Sequence, residues 1–342
     1  MRISRLLAPA LTACALLLPG TASAADPVVD RVLDTLVLPK IAAFKTVTAG
    51  LAAAAKADCR PDNAELRKAW NGAMDAWLQV QDFRFGPLED GGRRQAIAYW
   101  PDRNGHRRRA LKRILTGADP ILKAPDRYQA ESVAARGLYA VEAMLYDPAF
   151  SKYGAGDPGC TLVRAASADL ANVAADVDRQ WRESFAQIMR TAGADDNERF
   201  LDPSEARQAI FTALLTSMQF DIDERLGEPL GTFDRPRPTR AESRHSGRSL
   251  RNLQLSLAAH EALAKALVPG PDKDTLTRED FERVRWMAGK LDEPVFAGVT
   301  DPERRFRIEA LQTALTMLRE EVNQELSAAL GVTMGLNAFD GD

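Results

Sequence analysis

The chain has 342 residues, with 45 lysines and arginines against 48 aspartates and glutamates, so its formal net charge at neutral pH is -3. This weakly acidic balance argues against nucleic acid as a partner, because phosphate binding needs a basic face. The length is enough for two domains of ordinary size.

The first 24 residues have the pattern of a secretory signal peptide, which directs export and is then removed. Arg2 and Arg5 precede an apolar run over residues 6–18, and residues 22–24 (ASA) provide a small-residue cleavage site. Cleavage removes two arginines and no acid, so the formal net charge changes from -3 to -5. The sequence thus predicts a periplasmic protein.

A lipid anchor is the alternative for the same segment. Residues 11–14 (LTAC) resemble a lipobox, which would place a lipid on Cys14. After the leader, no stretch reaches the roughly 18 uninterrupted apolar residues that a spanning helix requires, so we expect no transmembrane segment in the mature protein.

Apolar residues recur at helical spacing along almost the whole mature chain, and the alternating runs rich in Val, Ile and Thr that mark strands are missing. The sequence therefore predicts an all-α protein. Pro39 lies inside the first predicted helix and is expected to kink or split it. In the first half, helices are predicted over residues 27–57, from Pro61 to Val80, over 105–115 and over 126–145, with an irregular segment at 83–103. In the second half, helices are predicted over residues 160–189, 203–226, 247–267, 278–291 and 302–330, with an irregular segment at 227–246.

The two irregular segments indicate an internal repeat. Residues 87–88 and 229–230 are both Pro-Leu and lie 142 residues apart, and the same spacing separates Gly105 from Gly247. Each half would then contribute a long helix, a proline-containing connector and a helix that starts at the glycine. The result would be two helical bundles related by an approximate two-fold axis. Chance similarity between two helix-rich halves is the alternative.

On this basis we predict a first helical-bundle domain over residues 25–156 and a second over residues 157–342. The mature chain retains two cysteines, Cys59 and Cys160, and an exported chain with an even pair is expected to oxidise them. Two buried thiols are the alternative. A zinc cluster is not expected, because neither cysteine has a second cysteine or a histidine close to it in the sequence.

Four segments carry a family pattern: residues 84–88 (RFGPL), 96–102 (AIAYWPD), 241–250 (AESRHSGRSL) and 330–342 (LGVTMGLNAFDGD). Together they resemble the imelysin-like family of bacterial envelope proteins. The resemblance implies an exported protein with two four-helix-bundle domains that arose by duplication. It also implies a link to iron uptake, and some members of the family are classed as metallopeptidases.

The family's usual signature is Gly-x-His-x-x-Glu on a helix of the first domain. The matching run here is residues 137–142 (GLYAVE), so Tyr139 occupies the histidine position. A histidine and a glutamate three residues apart can share a metal, whereas a neutral phenol with a pKa of about 10 is a much poorer ligand. A zinc peptidase also needs about three protein ligands and a bound water, and the three histidines of the chain form no His-Glu-x-x-His pattern. We therefore expect no peptidase activity.

A binding site is expected where the two irregular segments meet the helix that carries Tyr139 and Glu142, because loops held by a rigid scaffold carry most binding chemistry. A mixed set of oxygen and nitrogen ligands there would suit iron or another divalent metal. The ligand-binding candidates are Tyr139, Glu142, Arg84, Trp100, Asp102, Ser243, Ser246 and Arg248. The metal-binding candidates are Glu142, His106, His245 and Glu242.

Each candidate also has a structural alternative. Glu142 lies on an otherwise apolar face and would be costly to bury unpaired, so Arg84 or Arg248 could be its salt-bridge partner. The remaining candidates could be surface histidines, core aromatic residues, helix-capping serines and a tyrosine in a polar network.

The leading functional hypothesis is non-catalytic binding of iron or a related metal species, in a cleft between the two bundles, as part of metal uptake in the envelope. The second is an adaptor that binds no metal itself and presents the cleft to an envelope partner. The third and weakest is a metallopeptidase-like hydrolase.

Overall fold

The computed structural model describes residues 26–116, 120–268 and 276–335. The predicted signal peptide, the alternative lipid site at Cys14 and the end of the last family segment lie outside these residues. Within them there is no β-strand, only an isolated bridge between Thr232 and Arg235, so the all-α prediction is confirmed. The long helices are α1 (Pro27–Ala57), α2 (Ala64–Val80), α3 (His106–Leu115), α4 (Gly137–Tyr146), α5 (Pro158–Gln180), α6 (Pro203–Phe220), α7 (Ser249–Leu267), α8 (Leu276–Lys290) and α9 (Pro302–Leu330).

Side-chain caps fix the starts of several helices. The carboxylate of Asp26 accepts a hydrogen bond of 2.9 Å from the amide of Val28, and Asn63 caps α2 in the same way. Asp202 and Glu205 form a reciprocal capping box at the start of α6. Each of these caps satisfies amides that the first helical turn leaves without a partner.

Pro39 does not split α1. A π-helical turn at Leu33–Val37 lies immediately before it, and the helix then continues as Leu38–Ala57. A proline inside a helix removes one hydrogen bond and crowds the carbonyl four residues earlier. The wider π turn contains that carbonyl, at Thr35, and so accommodates the ring.

The prediction of one helix over residues 126–145 is wrong for the first half of that range. Residues 125–135 form two 3₁₀ segments, and α4 begins only at Gly137. Gly137 has φ +67°, a left-handed conformation that an α-helix interior does not contain. For the same reason α7 begins at Ser249 instead of the predicted Gly247, whose φ is +75°.

The helices pack in two groups. The first helix group consists of α1, α2, α4 and α5, and the second consists of α6, α7, α8 and α9. Helix α7 contacts both α1 and α2, so it joins the two groups. Because α5 packs along α1, the segment Pro158–Gln180 lies with the first helix group, although it belongs to the predicted second domain. The duplication and the domain division at residues 156 and 157 stay predictions.

Helix α1 is the one helix in the described ranges that is long and apolar enough to cross a membrane by length and composition. It also carries Lys40 and Lys45, which would be costly in a hydrocarbon interior. The ammonium of Lys40 donates a 2.7 Å hydrogen bond to Gln79, and that of Lys45 forms a 2.5 Å ion pair with Asp178. These contacts are typical of a helix in a helical bundle.

The predicted disulfide between Cys59 and Cys160 is confirmed. Cys59 lies between α1 and α2, Cys160 lies in the first turn of α5, and their Cα atoms are 5.2 Å apart. Both side chains are fully buried. The bond closes a loop of 101 residues, which limits the conformations that the unfolded chain can adopt.

Replacing both cysteines by serine is expected to lower the free energy of unfolding by about 4 kcal/mol, because a loop of this length restricts the unfolded chain by that order. Urea unfolding of the oxidised and the doubly substituted protein measures the difference. A thiol reductant should destabilise the native protein and leave the variant unaffected. Equal unfolding midpoints for the two proteins would contradict the expectation.

Candidate functional site

A cavity of about 220 Å³ opens where the two helix groups meet. Both irregular segments line it, the first through residues 100–103 and the second through residues 239–245, and α4 contributes Tyr139 and Glu142. We call it the first cavity. The structure therefore brings both irregular segments and α4 together at one cavity, as the sequence predicted.

Gly137, the first residue of α4, allows this helix to approach residues 96–97 of the first irregular segment closely. A Cβ atom at Gly137 would overlap the backbone carbonyls of Ala96 and Ile97. Tyr139 and Glu142, three residues apart, then lie on the same side of α4 and face the cavity. The close approach at Gly137 thus fixes where α4 places both side chains.

Glu142 is 5% exposed and has hydroxyl and amide partners. Ser246 Oγ donates a hydrogen bond of 2.7 Å to its Oε1 and Ser243 Oγ donates one of 3.3 Å to its Oε2. No lysine or arginine in the described ranges lies within ion-pair distance of its carboxylate. Burial raises the pKa of Glu142, and the hydrogen bonds from Ser246 and the charge of Arg107 only partly offset this.

The expectation that Arg84 or Arg248 pairs with Glu142 is wrong. Arg248 forms an ion pair with Asp75 and donates a 2.7 Å hydrogen bond to Asn71 on α2. Arg84 donates a 3.1 Å hydrogen bond to Ser217 on α6. Both guanidinium groups are held by partners on other helices, which the local sequence around them does not reveal.

The candidate metal ligands do not all meet. His245 lines the first cavity, with Nε2 3.5 Å from Oδ2 of Asp147, and burial together with Arg244 lowers its pKa. His106 is exposed, and its Nδ1 lies 2.9 Å from Nη2 of Arg109. Among the residues that the structure describes, no three His, Cys, Asp or Glu side chains are grouped as a metal site.

Trp100 and Asp102 line the first cavity and have structural contacts with their neighbours. The carboxylate of Asp102 accepts hydrogen bonds of 2.8 and 2.9 Å from the amides of His106 and Arg107, so it caps α3. The ring of Trp100 lies 6.5 Å from that of Tyr139 and 5.8 Å from that of Phe220, centroid to centroid. Both side chains therefore fix the wall that α3 and α4 share.

Glu242 belongs to a buried polar network centred on Arg225. The guanidinium of Arg225 donates a 2.8 Å hydrogen bond to Glu242 and forms an ion pair with Asp221. It also donates a 2.7 Å hydrogen bond to Gln81, which follows α2. The hydroxyl of Tyr139 donates to Glu242. The network therefore extends from the second helix group to the first.

His260 extends the same network across the two groups. Its Nδ1 lies 2.7 Å from Oδ2 of Asp82, and its Nε2 lies 3.1 Å from Oδ2 of Asp221. The imidazole is fully buried, and burial alone would lower its pKa. The two carboxylates more than offset this and raise the pKa of His260 to about 9. We call Arg225, His260, Asp82, Asp221 and Glu242 the charged network.

Sequence reasoning missed most of the charged network. The available signal was the presence of ionisable residues at positions where the helical pattern is otherwise buried, such as Asp221 and Arg225 four residues apart. A buried charge predicts a partner, but the pattern along one helix does not tell which other helix supplies it.

Comparisons with known proteins agree on the family and the fold. The sequence model of the imelysin family, Peptidase M75, matches residues 37–322. Iron-regulated protein A of Synechococcus elongatus is 22% identical over 278 residues, which are 76% of this chain and 73% of that protein.

Two solved structures have a similar fold. One is an imelysin-like protein from Psychrobacter arcticum, with a TM-score of 0.71 and 18% identity over 90% of this chain and 96% of that one. The other is a proposed iron-regulated protein A precursor from Parabacteroides distasonis, with a TM-score of 0.72 and 14% identity over 88% and 94% of the two chains.

The free energy of unfolding is expected to fall as the pH rises from about 6.5 to about 9. The folded-state pKa of His260 is above the unfolded value, so its stabilisation is complete below the unfolded pKa and is lost as the pH passes the folded one. The loss should be on the order of 3 kcal/mol. Urea unfolding across this range measures it, with His260→Asn as the comparison. Equal slopes for the two proteins, or a native protein whose stability rises with pH, would contradict the assignment.

Proposed function

The chain belongs to the imelysin family, and from that premise we propose that it is an exported, non-catalytic protein that binds iron or a related metal species in the first cavity. The iron is cargo in this proposal, held for transfer within the envelope.

The observation that carries the proposal is the carboxylate of Glu142. It is nearly fully buried, faces the first cavity, and lacks a cationic partner among the described side chains. A buried carboxylate without a counter-ion is costly to ionise, and a bound cation would remove that cost. Carboxylate oxygens are good ligands for hard cations, so a metal ion suits the position.

Other residues of the first cavity support a metal that arrives with some of its own ligands. His245 and Asp147 line the cavity, and a neutral histidine is a metal ligand. Because the described residues contain no preformed three-ligand group, the protein alone does not complete a coordination shell. Arg107, Arg108 and Arg244 also line the cavity, and they suit the anionic ligands of a chelated ion.

A peptidase mechanism has little support in the same cavity. Tyr139 stands where the family signature has histidine, and its hydroxyl donates to Glu242. Burial and the charge of Glu242 raise its pKa well above the ordinary value, so the phenol stays neutral. A neutral phenol does not replace the imidazole of a zinc site, which needs about three protein ligands.

The names of two relatives support a role connected with iron and with export. One is called iron-regulated protein A, and another is described as a precursor of such a protein. Together with the apolar leader of this chain, the second name supports export, and we place the protein in the periplasm.

An adaptor that binds no metal is the second candidate. Large apolar side chains are exposed on the second helix group, and two of them, Phe306 and Met317, are eleven residues apart on α9 and so lie on one face. Exposed apolar residues on one face are a feature of surfaces that bind other proteins.

The Glu142→Gln variant is expected to bind iron at least about tenfold more weakly than the native protein, because a charge-assisted contact is worth about 1.5 to 3 kcal/mol. Calorimetric titration with ferrous iron under anaerobic conditions and with ferric citrate measures the affinity for both forms. Glu303→Gln removes an exposed carboxylate on α9 and should bind as the native protein does. The substituted amide is nearly the same size as the carboxylate, so the variant should remain folded.

Equal iron affinity in the native protein and the Glu142→Gln variant would contradict the proposed site. A native protein that binds neither form of iron, and that forms a stable complex with a purified envelope component, would favour the adaptor. Cleavage of unfolded casein that a chelator abolishes would contradict the non-catalytic part of the proposal.

A further inference from the structure

A second cavity of about 210 Å³ lies beside the first, on the other side of Tyr139 and Trp100, which line both. Its remaining walls come from the end of α2, the segment that follows it, and the region after α6. The charged residues that line it are Arg84, Arg94, Arg225, Glu224 and Glu242.

Four of these five charges are paired. Arg94 forms a 2.5 Å ion pair with Glu89, and Arg225 forms ion pairs with Asp221 and Glu242. Glu224 forms a 2.7 Å ion pair with Arg103. The second cavity thus has one lining charge, that of Arg84, for which no carboxylate of the described residues lies within ion-pair distance.

Arg84 is mostly buried and only partly satisfied. Its Nε donates to Ser217 Oγ over 3.1 Å, and its guanidinium carbon lies 5.0 Å from the centroid of the Phe220 ring. Burial, with the neighbouring charge of Arg94, lowers its pKa below the ordinary value. A desolvated cation without a counter-ion is unfavourable, and an anion in the cavity would remove that cost.

The side chains that line the second cavity indicate the size and polarity of the rest of the ligand. Trp77, Trp100 and Phe220 provide aromatic surface, which favours an apolar or aromatic body. The volume is below the roughly 300 Å³ at which pockets for drug-sized ligands begin, so the ligand is small. Glu224 and Glu242 also line the cavity and would repel a multiply charged anion such as phosphate more strongly than a singly charged carboxylate.

We infer that the second cavity is a binding site for a small monocarboxylate with an apolar or aromatic body, and that Arg84 anchors its carboxylate. The planar guanidinium offers two parallel N–H donors to a carboxylate, an arrangement that a lysine does not provide. This site does not depend on iron binding in the first cavity, because Glu142 does not line it.

The test uses benzoate as the probe and benzamide, its neutral near-isostere, as the control ligand, at constant ionic strength. The two tryptophans in the wall make intrinsic fluorescence a direct readout, and thermal unfolding is a second one. Benzoate should bind saturably to the native protein, and benzamide should bind at least about tenfold more weakly, because it lacks the charge that Arg84 pairs with.

Matched variants assign the binding to one residue. Arg84→Met should weaken benzoate binding at least about tenfold, while its unfolding temperature without ligand should equal or exceed that of the native protein, because an unpaired desolvated charge is removed. Arg307→Met removes an exposed arginine on α9 that lines neither cavity and should bind benzoate as the native protein does. If Arg84→Met does not fold, Arg84→Lys, which keeps the charge and loses the paired donors, should still bind benzoate more weakly than the native protein.

Three results would overturn the inference. The first is the absence of saturable benzoate binding to the native protein at millimolar concentration. The second is an unchanged benzoate affinity in the Arg84 variant that folds, and the third is a benzamide affinity equal to that of benzoate. Loss of iron binding in Glu142→Gln with intact benzoate binding would separate this site from the one in the first cavity.

Discussion

The two helix groups are held together by the charged network, in which buried carboxylates pair with a buried arginine and a buried histidine. Asp82, Asp221 and Glu242 are buried carboxylates, and Arg225 and His260 are the buried cations that lie between them. Removing one member of such a set leaves another charge uncompensated at a cost of several kcal/mol. Because Asp82 follows α2 and His260 lies on α7, the network fixes the first helix group against the second.

Both cavities lie next to this network, and each is lined by a largely buried charged side chain that has no ion-pair partner among the described residues. Tyr139 donates to Glu242 and lines both cavities, so the position of the wall between them follows from the network. Glu142 faces the first cavity and Arg84 faces the second, and neither has an oppositely charged partner among the described residues. A cation in the first and an anion in the second are the ligands that these two charges favour.

Local features of this fold could be predicted from the sequence, and long-range pairings could not. Helical periodicity indicated most helices, and the even pair of cysteines in an exported chain indicated the disulfide. The run 137–142 and the serines near residue 245 indicated a common site, and the structure brings Glu142, Ser243 and Ser246 together. The errors have physical causes: a positive φ at Gly137 delayed the start of α4, and Arg248 pairs with Asp75 on a distant helix.

Asp82 and His260 belong to different helix groups and their side chains are 2.7 Å apart, so a double-mutant cycle between them measures how strongly the charged network couples the two groups. The free energy of unfolding is measured for the native protein, Asp82→Asn, His260→Asn and the double variant at neutral pH. We expect a favourable interaction energy of about 2 kcal/mol or more. An interaction energy below about 0.5 kcal/mol would contradict it, because residues that do not interact give additive effects within that margin.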